Sequence, residues 1–402
     1  MNVAGKRLLV LGAGRGQLGL YRAAKEMGIT TIAGTMPSFH QACIDLADEI
    51  CYMDISNPAE VADKAAKLAL DGVATCCLDT GIVSLGRVCD TLGVTGLTEN
   101  AAIMCGDKYK MKEAFIREGV NTAKFFQVDN EEVLAAALES LKLPVIVKAT
   151  DLQGSKGIYI AHTQEEAYAG FRAAMELTKK DYCIVEEYIV GWEFGAQAFV
   201  YKNEVFFVMP HGDETYMSHT AVPIGHYVPL QEEPLVIAKI EDEVKKAIRA
   251  IGLNNCAVNV DMILRDGKVY MIELTGRAGA NCLPELVEIN FGVAYYKMIA
   301  AMALSENPAE LWAGRNKVQQ AGLARMMMSK DKAGIIENIY YDGKWTEDIL
   351  EITFFKGVGD TVNRFETSND CIGQVIVKGN SLEDCQARVS EIMSEVKIEG
   401  LK

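Results

Sequence analysis

Residues 257–277 read AVNVDMILRDGKVYMIELTGR. Two apolar runs flank Asp266-Gly267, a pair suited to a two-residue hairpin turn because both positions accept positive φ. The runs are therefore expected to be antiparallel strands. An acid interrupts each: Asp261 stands five residues before Asp266, and Glu273 six after Gly267. Counting outward from the turn brings them within one position of facing each other, a difference that a bulge or a diagonal contact makes up. Two carboxylates side by side among apolar neighbours repel unless a cation or a proton comes between them. Mg²⁺, which takes one or two carboxylates plus phosphate oxygens, fits. A metal-free acid–base pair is the rival reading. Arg277, four residues on, carries the planar fork that clamps a carboxylate or phosphate.

The phosphate half of that reading has its own stretch, residues 144–160, PVIVKATDLQGSKGIYI. A β-branched run, Val145 to Val147, ends on Lys148, whose ammonium is costly at a buried strand end unless an anion meets it. Gln153-Gly154-Ser155-Lys156-Gly157 follows, then a second apolar run. This is neither a G-x-x-x-x-G-K-[ST] loop nor a G-x-S-x-G elbow. A hairpin loop offering backbone N–H groups, a hydroxyl and a lysine folds well over phosphates; the plain alternative is an exposed turn. In CIVEEYIVGWEFG (183–195), strand-edge backbone is placed to read an adenine and a nearby carboxylate to accept ribose hydroxyls. Solvated edge acids are the bland alternative.

Outward from these stretches, residues 7–100 alternate strand and helix signals, which predicts a doubly wound parallel sheet. The turn LGAGRGQLG (11–19) fails the dinucleotide template. Gly12 and Gly14 fit, but Gln17 occupies the sixth position, and no acid ends the second strand at Thr35-Met36. Mixed strands and helices follow to about 315, and residues 316–402 are strand-rich. The 402-residue chain carries a net charge of −15, which argues against nucleic-acid or anionic-membrane partners. Eleven scattered cysteines, without a C-x-x-C pair, read as reduced thiols of a cytoplasmic protein. No cleavable leader or membrane span is expected.

One more stretch is rich in chemistry. HGDETYMSHTAVPIGHYVP (211–229) holds three of the five histidines. It is expected to be a polar loop facing a substrate; the family resemblance drawn below implies that Asp213 or Glu214 pairs an ammonium and that His219 or His226 takes its proton. A zinc site needs closer pairs or cysteine partners. A plain connecting loop is the alternative.

The order Asp107-Lys108, Lys148, a glycine-rich hairpin, E-E-Y-I-x-G-x-E, Asp261 and E-L-T-G-R resembles the ATP-grasp superfamily over roughly residues 1–315. That superfamily includes biotin carboxylase, purine-pathway ligases, D-alanine–D-alanine ligase and L-amino-acid ligases. The resemblance implies an α/β architecture: a wound pre-grasp domain (1–105), a two-part α+β grasp (106–315, lid about 125–190) and a small strand-rich C-terminal domain (316–402). It implies that Lys108, Lys148, Gly154, Ser155 and Gly157 hold the ATP phosphates, that Glu186, Glu187 and Ile189 read the adenine, and that Glu193 takes the ribose. Asp261, Glu273 and Thr275 would hold Mg²⁺ or Mn²⁺, with Thr275 standing where an asparagine is usual. Arg277, Lys156 and Ser155 would serve the reaction. The implied activity is ADP-forming ligation of a substrate carboxylate to an amine, with amino acids or dipeptides as substrates and the chain as a homodimer. The rivals are a purine-pathway ligase on a phosphoribosylamine, with Arg15 and Arg87 as its anion site, a biotin-carboxylase-like enzyme, and a nucleotide-binding regulator.

Overall fold

The computed structural model describes residues 1–152, 156–217, 221–367 and 370–402. The chain forms two compact units: residues 1–208, 233–278 and 299–307 in the first, and 209–232, 279–298 and 308–402 in the second. The boundaries expected at 105 and 315 are not boundaries between these units. Among the described residues, no helix is long and apolar enough to cross a membrane.

The first unit opens with a parallel sheet ordered Glu49–Tyr52, Thr30–Thr35, Arg7–Leu11, Gly72–Ala74. Its central strands are buried on both faces, as a sheet covered by helices requires. The strand Glu49–Tyr52 escaped the sequence reading because its run DEICYMD is short and mostly exposed. Gln17 replaces the expected glycine for a structural reason. Its buried amide donates to Cys76 O at 2.6 Å and accepts from Gly14 N at 2.9 Å, tying the first turn to the fourth strand's exit.

A second sheet, antiparallel, is ordered Phe125–Val128, Cys183–Glu187, Val145–Ala149, Ile158–Ala161. Helices Glu131–Ser140 and Gln164–Leu177 cover it around a core of its own, with Val145, Val147, Val185 and Phe171. Both helices carry side-chain caps, from Asn130 and Thr163. The first unit also holds strands Trp192–Tyr201, Cys256–Arg265 and Lys268–Thr275, paired in that order. Asp266 (φ 53°) and Gly267 (φ 70°) make the left-handed turn expected between the last two.

In the second unit, Ala221–Val228 pairs with Ala321–Met327, which pairs with Gly373–Gly379 and, beyond it, Ile349–Phe354. Helix Leu382–Glu395 packs on this sheet through Leu382, Cys385, Val389 and Ile392. Gly334–Tyr341 and Val396–Leu401 belong to a separate small sheet.

Candidate active site

Asp261 and Glu273 are direct partners across their two strands. The register shifts between Asp261 and Met262, so Ile272 is passed over, and this bulge supplies the one-residue difference counted from the turn. Glu273 is 40% exposed, and its Oε2 meets Lys108 Nζ at 3.1 Å. That ammonium holds the Glu273 carboxyl below its usual range, although burial works the other way. Lys108 also donates to Leu152 O at 2.9 Å. Burial is the largest influence and disfavours its charge, but Glu273, helped by Glu186 and Asp79, outweighs it and raises the ammonium. A cation thus already stands against one member of the acid pair, and two carboxylates are a donor set that suits Mg²⁺. Asn259, unremarked in the sequence, stands across from Thr275 and reaches Asp261 Oδ1 through its Nδ2 at 3.3 Å.

Lys148 is the penultimate residue of its strand, which runs to Ala149, and its partner is Glu186, not solvent. Glu186 is 3% exposed and also pairs with Lys112 at 2.7 Å. Burial pushes its carboxyl up, but the two ammonium groups win and bring it down to about 2. The Glu186 side chain, expected to read the adenine, is here paired with both lysines. Lys112 was missed. Its signal was present: Lys108 and Lys112 lie four apart in helix Lys108–Arg117 and so share a face. Thr122 Oγ1 also accepts from Lys112, at 2.6 Å.

Glu187 pairs with Arg265 at 3.1 Å. Ile189 is buried with Ala123 and Ile263. Glu193 is exposed on strand Trp192–Tyr201. Lys156 is exposed, and Gly157 (φ +68°) turns the chain so that its carbonyl accepts from Ala149 N at 2.9 Å. Gly154, Ser155 and His219 lie outside the described residues.

Arg277 has a partner that the sequence did not announce. Asp79, beyond the fourth strand of the wound sheet, takes its fork bidentately, Oδ1 from Nε at 2.7 Å and Oδ2 from Nη2 at 2.6 Å. Arg277 Nη1 donates to Ala278 O at 3.1 Å. Thr275 Oγ1, expected at a metal, donates to Asp79 Oδ1 at 3.1 Å. Burial raises the Asp79 carboxyl, but Arg277 leads the interactions that leave it below its usual value, and Lys108 adds to them. Three elements distant in sequence thus converge on Asp79, Lys108, Glu273 and Arg277. An anion-binding fork, two cation-binding acids and a lysine are the parts that a reaction between phosphate and carboxylate needs.

Within the stretch 211–229, residues 211–217 and 221–228 are strand, not loop. Strands Glu204–Met217 and Ala221–Val228 pair antiparallel, with Asp213 opposite His226 and Glu214 near Gly225. The polar residues misled because the first strand carries polar residues on both faces from His211 onward, and a histidine interrupts the apolar face of the second. The ammonium-binding role expected of Asp213 and Glu214 finds both carboxylates engaged. Arg325 holds Glu214 in a fork at 2.5 and 2.6 Å. Asp213 accepts from His211 and His226.

Comparison with known proteins places the chain among relatives. Residues 106–223 match the phosphoribosylglycinamide synthetase ATP-grasp (A) domain, and residues 329–399 match the L-amino acid ligase C-terminal domain 2. Alanine–anticapsin ligase of Bacillus subtilis is 27% identical over 63% of this chain. The chain spans a little over half the length, 53–58%, of the curated relatives of that kind. The L-amino acid ligase of Bacillus licheniformis shares the fold, with a TM-score of 0.81 over 98% of each chain at 17% identity. A phosphoribosylglycinamide synthetase structure from Anaerococcus prevotii is 65% identical, with a TM-score of 0.88 over 98% of this chain and 99% of that one. With that identity across nearly its whole length, the chain belongs to the ATP-grasp family of carboxylate–amine ligases.

Proposed function

We propose that the protein is an ADP-forming ligase that activates a substrate carboxylate with ATP and passes it to an amine, with amino acids or dipeptides as substrates. The observation that carries the chemistry is the direct pairing of Asp261 with Glu273 beside Lys108. Asp261 and Glu273 would hold Mg²⁺, which when bound offsets charge on the ATP phosphates. Lys108 and Lys148 face the phosphates, and Lys156 with Gly157 borders them. Arg277 positions the carboxylate whose oxygen attacks the γ-phosphorus. ADP leaves, and the resulting acyl phosphate sits where the guanidinium offsets its charge and water is excluded. The amine attacks the acyl carbon, phosphate leaves, and the lost proton passes to solvent or a nearby base. No protein nucleophile is required.

The match of residues 329–399 to an L-amino acid ligase domain favours amino-acid substrates. A second reading, joining glycine to a phosphoribosylamine, is favoured by the name of the 65% identical structure. It requires a second anion site on the wound sheet, and Arg87 there is paired with Glu99 at 2.8 Å. ADP release measured with amino-acid pairs, with phosphoribosylamine plus glycine, and with bicarbonate separates the readings. Turnover only with phosphoribosylamine overturns the first. The expected setting is a homodimer in the cytoplasm, working on small molecules; a single mass by light scattering tests the dimer.

A further inference from the structure

We propose that His211, Asp213 and His226 form a binding site for one divalent transition-metal ion, separate in its residues from the Asp261–Glu273 pair. His211 and Asp213 are two apart on one strand and so share a face, and Asp213 is the direct cross-strand partner of His226. The sequence hides this. The histidines are fifteen residues apart and lack the close spacing of familiar zinc motifs, yet strand pairing closes the gap.

The donor atoms converge. Asp213 Oδ1 lies 3.0 Å from His211 Nδ1 and 2.6 Å from His226 Nδ1, and all three atoms lie within 4.8 Å of one another. Among the described residues this is the one such group of three metal-ligating side chains. The rings meet edge to face with centroids 5.3 Å apart. Two imidazoles and a carboxylate suit a borderline ion such as Zn²⁺ better than Mg²⁺. The side chains of both histidines are buried, and that of Asp213 is 17% exposed, so a fourth position opens to water only at the carboxylate.

An ion held at Nδ1 would leave His211 Nε2, buried without a hydrogen-bond partner, as the outer ring nitrogen of the ligand.

The test uses the full-length protein, freed of metal by a chelator and kept free of nucleotide. Equilibrium dialysis against low micromolar Zn²⁺ should load one equivalent. His211→Ala and Asp213→Asn should each lose it, while the Asp261→Asn/Glu273→Gln double variant keeps it. Co²⁺ in the wild type should give the visible bands of a low-coordinate nitrogen–oxygen site, a readout that needs no variant to fold. Absence of both zinc retention and those bands overturns the proposal. So does zinc that survives in His211→Ala and Asp213→Asn, or that disappears only with the Asp261–Glu273 pair.

Discussion

Two buried carboxylates in this protein each hold two basic side chains, with opposite results. Glu186 sits between Lys112 and Lys148, and Asp213 between His211 and His226. Two lysines draw the Glu186 carboxyl down, although burial lowers the Lys112 ammonium as well. Imidazole has a far lower intrinsic proton affinity than lysine, and burial lowers that of His211 further. Two strong bases suit the first cluster to an anion, and two weak bases suit the second to a cation. Identical topology, one acid and two bases, is turned either way by the intrinsic proton affinity of the base.

The comparison can be broken most sharply at Glu186. Glu186→Gln leaves two buried ammonium groups without a counter-charge and should lower stability by about 3–5 kcal/mol in urea unfolding. The sign with pH follows from its depressed carboxyl. Stability from Glu186 is full above the ordinary value of 4.5 and is lost as pH falls from there towards about 2. The Gln variant should flatten the unfolding profile across that window; an unchanged slope would remove Glu186 from the account. Next in size, Asp261→Asn or Glu273→Gln should slow ADP release by about 10²-fold or more while leaving the fold intact by circular dichroism.

Asp213→Asn should cost less than Glu186→Gln, about 1–2 kcal/mol in metal-free protein, because neutral imidazoles lose only a hydrogen-bond partner. Equal costs at the two sites would mean that His211 and His226 are charged. Asp79→Asn weakens the fork that orients Arg277 and should raise KM for the carboxylate substrate about tenfold, with KM for ATP unmoved. The smallest effect belongs to Arg87→Ala, whose exposed pair with Glu99 contributes about 0–1 kcal/mol. A raised KM for a phosphoribosylamine in that variant would instead favour the second reading.

Much of the first cluster's frame was legible. The Asp266-Gly267 turn set the register of Asp261 and Glu273, and a β-branched run marked the strand that carries Lys148. What stayed hidden depended on tertiary approach. No local pattern tells that Asp79 meets Arg277, 198 positions away, or that Lys112 turns inward to Glu186. The stretch 211–229 failed for a different reason. Strand periodicity was masked because buried histidines read as polar, and a buried polar residue satisfied by its cross-strand neighbour resembles a loop residue until the neighbour is known.

The bulge at Ile272 carries one more consequence, for how this hairpin tolerates changes in length. Ile272 has no opposite number: it is the extra residue that the bulge absorbs so that Glu273 stays level with Asp261. Deleting it would leave a smooth ladder with the two acids still opposed, at the loss of its apolar contact with Ala123, Ile189 and Ile263. Adding a residue between the turn and Glu273 would carry the glutamate past its partner and towards the other face of the sheet. Natural or engineered length variants of this segment should therefore be one-sided, with shortening borne and lengthening rejected.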